Sequence, residues 1–384
     1  MTSPPRSEGS PRGAARAPLD MLIVGGGPVG LLAGLCAHAA GLRFRVMERD
    51  EQPRRHSRAI GIHPPCLRLI ASLDQELADR LVSEGTRIHR GHGMAGPGRP
   101  IGSLDFSLLG PPYPFVLTLP QWRTEALLEE ALRFRSPDGL VRGMEVGAAP
   151  TDRDARITLA CDGRDSRIRQ EAGIGVKGAA YPVRYVMGDF AVTGWPDDPA
   201  LQDDAFLFLT PTGLVESFPV ESGVRRWVAE VEETAEPDPG RLSTLVAARC
   251  GVRLDPGEVR MISTFQPEHR TAERFVSGDL LLCGDAAHVV TPIGGQGMNL
   301  GWLNAADAVS AAAAVIAGGD PTRHFRAFER RARRRAGRAR RRGEQNMFLA
   351  NRTPMPRMRA RILGLALRSP LRRIFARRFT MHGL

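Results

Sequence analysis

The stretch DMLIVGGGPVGLLAGLCAHAAGLRFRVMERD, Asp20 to Asp50, decides the fold. Asp20–Val24 is a short apolar run of strand composition. Gly25 to about Ala40 reads as a turn and an apolar helix, stopped by Gly41 as a C-terminal cap. Phe44–Glu48 reads as a second strand, so the whole is a β-α-β unit of about 30 residues. Within it, Gly25-x-Gly27-x-x-Gly30 follows a strand and opens a helix, and Glu48 stands 23 residues after Gly25. Gly25 allows the tight turn, Gly27 lets a pyrophosphate approach the backbone, and Gly30 lets helix and strand pack closely. The helix start, with Pro28 and Val29, offers unpaired N–H groups and a positive dipole end. Glu48, with Arg49 beside it, suits ribose hydroxyls, and its charge repels a 2′-phosphate. Glycines of this kind often serve turns alone, but strand, turn and helix in this order point to a dinucleotide. NAD and FAD both fit this unit.

A second stretch separates them. LLCGDAAHVVTPIGGQGMNLG, Leu281–Gly301, begins as an apolar strand and turns at Gly284-Asp285. A carboxylate at a strand end of an open α/β sheet lies where such sheets bind ligands. There Asp285 can accept hydrogen bonds from a ribityl chain. Gly294, Gly295 and Gly297 follow Pro292 and let a flat ring pass close to the backbone. The helix after them, opening with Met298 and Asn299, points its amides at that ring, where a reduced flavin carries negative charge. A glycine-rich turn before a core helix explains neither Asp285 nor three glycines in four positions, so the expected cofactor is FAD.

Composition bounds the rest. At 384 residues the chain makes one large or two ordinary domains. Its five cysteines (Cys36, Cys66, Cys161, Cys250, Cys283) are scattered without CxxC or Cys/His clustering. That argues against a disulfide framework or a metal site and fits a reducing, cytoplasmic setting. The net charge is +11, yet residues 321–384 alone carry 20 Arg and 2 Glu, or +18, leaving −7 on the remainder. Such a tail invites nucleic-acid or anionic-membrane readings. No aromatic-interleaved basic patch accompanies it, and Lys177 is the one lysine among 53 basic residues, so the arginines reflect a coding bias. Nucleic acid is therefore not an expected partner. RMRARILGLALRSPLRRIFARRF, 357–379, is basic and partly amphipathic, as lipid-binding helices are. Pro370 interrupts it, and packing against the cofactor domain is the favoured fate. The oligomeric state stays open.

Along the chain, residues 1–19 read as a disordered tail. One helix is expected over Leu67–Glu84 and another starting near Pro120. Strand composition covers Tyr181–Val192, Ala205–Val220 and Val224–Glu232, with turns between. The fold class is α/β. A discontinuous Rossmann-type cofactor domain (20–85, 115–178 and 270–320) carries an antiparallel β-sheet substrate domain (86–114 and 179–269). A basic helical region (321–384) follows, with a break at Asn351–Pro356.

Three motifs in order resemble the FAD-dependent aromatic hydroxylases, the family of para-hydroxybenzoate hydroxylase and related polyketide hydroxylases. GGGPVG with Glu48 resembles that family's adenosine-binding fingerprint. CDGRDSRIR resembles its DG motif, with Asp162, Gly163, Ser166 and Arg169 in place. CGDAAHVVTPIGGQGMNLG resembles its GD motif almost throughout. Arg58-Ala59 and Gln121 fall where the family places flavin-contacting residues. One departure is the short segment VRGMEVGAAPTDRDARITLACDG, which leaves room for only a minimal version of the family's β-meander. The resemblance implies a class A flavoprotein monooxygenase of secondary metabolism. In that family NADPH or NADH, bound transiently, reduces FAD. O2 then forms a flavin C4a-hydroperoxide that hydroxylates an aromatic or polyketide-type small molecule. Pro292, Gly294 and Gly295 would line the reacting face of the flavin, with no acid or base assigned. His288 belongs to the DAAH string and is expected to be structural. His63 and Tyr185 are weaker candidates for proton transfer, and Trp227 reads as a core aromatic. The alternatives are a related FAD-dependent oxidoreductase, reductase-like or halogenase-like, and a flavin-binding protein without turnover. The WxWxIP string of tryptophan halogenases is absent.

Overall fold

Strand Leu19–Val24 lies inside a six-stranded sheet, as its apolar run Met21–Val24 requires of a strand covered on both faces. The order across that sheet is Val276–Ser277, Leu280–Leu282, Ala155–Ala160, Leu19–Val24, Phe44–Glu48 and Leu140–Arg142. All but the short edge strand Val276–Ser277 run parallel. The computed structural model describes residues 18–53, 59–147, 155–192, 194–232, 236–350 and 355–383. Arg58, most of the expected tail, most of the expected break after Ala350 and part of the shortened 141–160 segment lie outside them.

The helices are α1 (Pro28–Ala39), α2 (Pro64–Leu73), α3 (Gln75–Glu84), α4 (Gln121–Arg135), α5 (Arg167–Glu171), α6 (Pro239–Cys250), α7 (Gln296–Ile316), α8 (Pro321–Ala350), α9 (Pro356–Arg368) and α10 (Arg372–Phe379). The single helix expected over Leu67–Glu84 is two. Asp74 is extended (φ −162°), and its carboxylate accepts from the Leu77 N–H at 3.1 Å, which caps α3. Arg135 of α4 pairs with the same carboxylate at 2.8 Å.

A second sheet has seven strands, ordered Val259–Phe265, Arg184–Ala191, Val224–Val231, Gly213–Glu221, Ala205–Thr210, Arg90–Met94 and Pro100–Asp105. The strand expected over Ala205–Val220 is a hairpin. It turns at Thr210–Gly213, where Gly213 takes a φ of +124° and Thr210 Oγ1 donates to the Gly213 carbonyl at 2.7 Å. The two faces of this sheet differ. One packs Phe190, Phe206, Phe208 and Trp227 on Leu242 and Val246 of α6. Trp227 is a core aromatic there, 5.0 Å from Trp195. The other carries Tyr185, Met187, Leu214 and Val228, which pack with Ile293 and Met347. Two three-stranded sheets join the halves, one of them pairing Glu268–Ala272 with both Val176–Ala180 and His288–Val289.

The basic C-terminal helices divide. Helix α8 lies along α7. Helices α9 and α10, expected on the cofactor domain, instead cover the edge strand Pro100–Asp105. A Cβ at Gly364 would meet the Ile101 carbonyl at 2.9 Å, Leu367 packs on Gly102, and Phe379 stacks on Phe106 at 5.6 Å. The physical reason is the edge itself, whose unpaired backbone has to be covered or blunted. Among the described residues, no helix is long and apolar enough to cross a membrane.

Candidate functional site

The parallel strands end together. Register places Val24 beside Met47 on one side and Ala160 on the other, with Leu282 beside Ala160. Gly25, Glu48, Asp162 and Asp285 therefore follow at one carboxyl edge, where open α/β sheets hold ligands. Gly25 has a φ of +104°, and a Cβ on it would lie 2.5 Å from the Cys161 carbonyl oxygen. A Cβ on Gly30 would collide with the Gly25 carbonyl. Gly30 thus packs beneath the turn, where the absence of a side chain lets helix and strand approach closely. Gly27 is open: a Cβ there would have nothing within 4 Å. Glu48 braces the turn, accepting from the Gly26 N–H at 2.6 Å and the Asp50 N–H at 2.9 Å.

The second and third motifs are tied to this edge. Asp162 Oδ2 accepts from the Ile168 N–H at 3.2 Å, while its Oδ1 is buried without a partner among the described residues. The Arg169 guanidinium donates to the carbonyls of Arg164 and Ala286, at 3.0 and 3.1 Å, which joins the two motifs. Trp302 Nε1 donates to the Pro28 carbonyl at 2.8 Å, fixing α7 against the glycine-rich turn. Asp285 is exposed at the strand end. Gln121 Oε1 accepts from the Ala59 N–H at 3.1 Å.

The loop from Pro292 to Gly297 is held from three sides. Asn299 is fully buried and, unlike Met298, does not reach the cavity wall. Its Nδ2 donates to the carbonyls of Gly61 and Gly295, both at 2.9 Å, and its Oδ1 accepts from the His63 N–H at 2.8 Å. His63 Nε2 lies 3.0 Å from the Gly294 carbonyl. Burial pushes the His63 imidazole down to about 4, so near pH 7 it is neutral and this nitrogen carries the donated proton. From above, Thr291 Oγ1 meets Met347 Sδ of α8 at 3.3 Å. His63 thus positions the loop. His288, also pushed down to about 4 by burial, accepts from Asn304 Nδ2 at 2.8 Å behind the wall, a structural place. Tyr185 is buried under the loop, where burial and then the Glu216 and Glu230 carboxylates push its phenol up.

One cavity of about 1850 Å³ runs from Gly25–Val29 past Glu48, Asp162, Gly163 and Asp285, along Pro292 and Gly294–Met298, to the inner face of the seven-stranded sheet. Ligand pockets run to about 300–1,000 Å³, so this one has room for a dinucleotide and a second molecule together. Its far floor is Met187, Leu207, Leu209, Leu214 and Val228, with the polar residues Glu216 and Arg226 among them. Arg226 is bidentate to the buried Asp189, at 2.6 and 2.8 Å. Helices α8 to α10 add Asn346, Leu349, Leu363, Leu367 and Phe379 to the wall. The sequence reading missed Glu216, the Arg226–Asp189 pair, the Trp302 tie and the part taken by α8. Only RRW with an Asp on a neighbouring strand hinted at the pair.

An FAD molecule has what it needs along this path. There is an uncapped helix start over open space at Gly27, and there are carboxylates at Glu48 and Asp285. Two buried acceptors, Asp162 Oδ1 and Gln296 Oε1, have no partner among the described residues. Among the described residues no cluster of His, Cys, Asp and Glu suits a metal ion.

Comparison with known proteins agrees. A family model described as FAD binding domain matches residues 18–342. An uncharacterized aromatic compound monooxygenase of Bacillus subtilis is 31% identical over 327 residues, which is 79% of this chain and 63% of that protein. A rifampicin monooxygenase of Streptomyces venezuelae is 30% identical over 307 residues, 74% of this chain and 62% of that one. The chain thus spans less than two thirds of the length of these relatives. The crystal structure of p-nitrophenol 4-monooxygenase from Pseudomonas putida superposes with a TM-score of 0.82 at 22% identity, covering 94% of this chain and 98% of that one. It shares the mixed α/β fold with parallel and antiparallel sheets. The chain belongs to the FAD binding domain family, and FAD is its cofactor.

Proposed function

We propose that the protein is an FAD-dependent monooxygenase that uses NAD(P)H and O2 to hydroxylate an aromatic or polyketide-type small molecule. The observation that best supports this is the single cavity joining the glycine-rich turn to the apolar floor of the seven-stranded sheet, with the Pro292–Gly297 loop between. The names of the relatives, monooxygenases of aromatic compounds, point the same way. In this reading 20–85, 115–178 and 270–320 hold the cofactor, and 86–114 with 179–269 hold the substrate. The N–H groups at the start of α1, over Gly27, Pro28 and Val29, receive the pyrophosphate, and Glu48 with Arg49 faces the adenosine ribose. Asp285, Asp162 and Gly163 take the ribityl side, and Gln121 lines the same cavity. Pro292, Gly294 and Gly295 line the reacting face, and the backbone at Gly297 and Met298 meets the ring.

When bound, FAD supplies hydride acceptance and the activation of O2. The chain orients and encloses. His63 and Asn299 hold the loop in one position, so the distance between cofactor and floor is set by buried hydrogen bonds. Met187, Leu207 and Val228 below, with Leu349 and Leu367 at the side, present apolar surface that disfavours water there.

Purified protein is expected to be yellow and to hold one FAD per chain. A suitable aromatic substrate is expected to stimulate NAD(P)H oxidation with matching O2 uptake and little peroxide release. Colourless protein that FAD cannot reconstitute refutes the reading. Bound flavin with no substrate-stimulated oxidation across a broad aromatic panel favours a binding protein without turnover.

A further inference from the structure

Glu216 lies on Gly213–Glu221, the fourth strand of the seven. Cross-strand register sets Ser263, Met187, Val228, Glu216 and Leu207 in one row. Residues directly opposite on neighbouring strands share a face, and all five line the cavity. The same face carries Leu209 and Leu214 on one side of the row and Ala205 and Phe218 on the other, which also line the cavity. Glu216 is thus a carboxyl set into an apolar floor. Arg226, which lines the same cavity, is engaged by Asp189 and does not serve it.

Its state calls for a ligand. The residue is 5% exposed, and its carboxyl opens onto the cavity among apolar neighbours. Burial pushes its carboxyl up to about 7. A carboxyl set among apolar side chains gains from a hydrogen-bond donor brought to it, and this one borders the space between floor and loop. Ile293 of that loop packs on Met187, Leu214 and Val228, the immediate neighbours of Glu216. A ring lying between loop and floor therefore brings its edge to this carboxyl.

We propose that Glu216 receives a hydroxyl group on the substrate ring, so that the site selects phenolic rings over their alkylated counterparts. The proposal rests on the monooxygenase reading of the cavity and deepens it. The hydroxyl donates to a carboxylate oxygen. A site built to bond a substrate hydroxyl discriminates strongly against the analogue lacking it, because the buried acceptor is then left unpaired. The apolar floor supplies area for a flat ring but no such selection.

The test uses the FAD-loaded protein and two flat probes, 2,6-dihydroxyanthraquinone and 2,6-dimethoxyanthraquinone, titrated by calorimetry. FAD content and Tm are measured for the wild type, Glu216→Gln and Glu216→Leu. The expected result is that the wild type binds the dihydroxy probe on the order of tenfold or more tightly than the dimethoxy one. Glu216→Gln, which keeps an acceptor oxygen, retains part of that preference. Glu216→Leu loses it while keeping FAD and an equal or higher Tm. A preference that survives in Glu216→Leu overturns the proposal. So does an FAD-loaded wild type that binds both probes alike or binds neither. Protein that takes up no FAD at all instead overturns the monooxygenase reading beneath it.

Discussion

Replacing Gly27 by alanine separates a ligand contact from a fold contact. Gly27 caps α1 with φ −75° and ψ −176°, which alanine adopts without strain, and the new Cβ meets nothing within 4 Å. Losing a glycine from the unfolded chain stabilises by about 0.4–1 kcal/mol, and alanine is a poorer cap than glycine by a similar amount. The two effects nearly cancel, so the Tm of the FAD-free protein is expected to stay within a few degrees. The ligand sees a different surface. A methyl group over the uncapped N–H groups holds a pyrophosphate away from them. Hydrogen bonds to a charged group contribute about 1.5–3 kcal/mol each, so losing even two is expected to weaken FAD binding by on the order of a hundredfold or more. Gly30→Ala is the contrast. Its Cβ collides with the Gly25 carbonyl, and overpacking of this kind destabilises by about 1–3 kcal/mol, so both Tm and FAD affinity are expected to fall. FAD titration followed by flavin fluorescence, with thermal unfolding of the FAD-free forms, reads both quantities. Undiminished FAD affinity in Gly27→Ala refutes the placement of the pyrophosphate, whatever its Tm.

Asn299→Ala leaves two carbonyls and one N–H unpaired in the interior. It is expected to lower stability by ~3 kcal/mol or more and to loosen FAD; a Tm within a degree of wild type contradicts the claim that Asn299 holds the loop. Asp285→Ala is expected to lower FAD occupancy without a large change in Tm, and unchanged flavin content in that variant removes its ribityl role. Around the cavity, acid is expected to act through three groups with two signs. His63 and His288 fold with pKa values near 4, so their contribution is complete above 6.5 and lost as the pH falls towards 4, up to ~3 kcal/mol each. Glu216, raised to about 7, works the other way, gaining on protonation as the pH falls from 7 to 4.5. Urea midpoints between pH 7 and 4.5 should therefore fall less steeply in His288→Gln than in wild type, and more steeply in Glu216→Leu; parallel slopes in all three proteins would count against these assignments.

The glycine-rich turn was legible because its residues answer to backbone geometry alone. Gly25 must adopt a positive φ beside Cys161, and no side-chain context alters that. The break at Asp74 was not, since an aspartate on an amphipathic run reads equally as a solvated face and as a cap. The far wall was hardest. Gly213–Glu221 and Val224–Val231 are buried almost throughout, because α6 covers one face and the loop with α8 covers the other. Alternation between apolar and polar residues, which tells the facing of a half-buried strand, is therefore missing. Glu216 reads as a stray charge until pairing with Leu207 and Val228 shows which way its row faces. The C-terminal helices hid their place for a similar reason: their arginines dominate the text, while the contacts that seat them are made by Gly364, Leu367 and Phe379.

The two faces of the seven-stranded sheet also bear on how such a protein diversifies. Along Ala205–Thr210, Leu207 and Leu209 point to the cavity, while Phe206 and Phe208 anchor the sheet to the cluster around Trp195, Trp227 and α6. Neighbouring positions of one strand thus answer to separate selective demands. On the proposed reading, changes at the partly buried Leu207 and Leu209, or at Glu216, remodel what the protein accepts at less cost to folding than changes at Phe206 and Phe208. The aromatic layer behind them supplies the stability margin that lets such variants survive long enough to be selected.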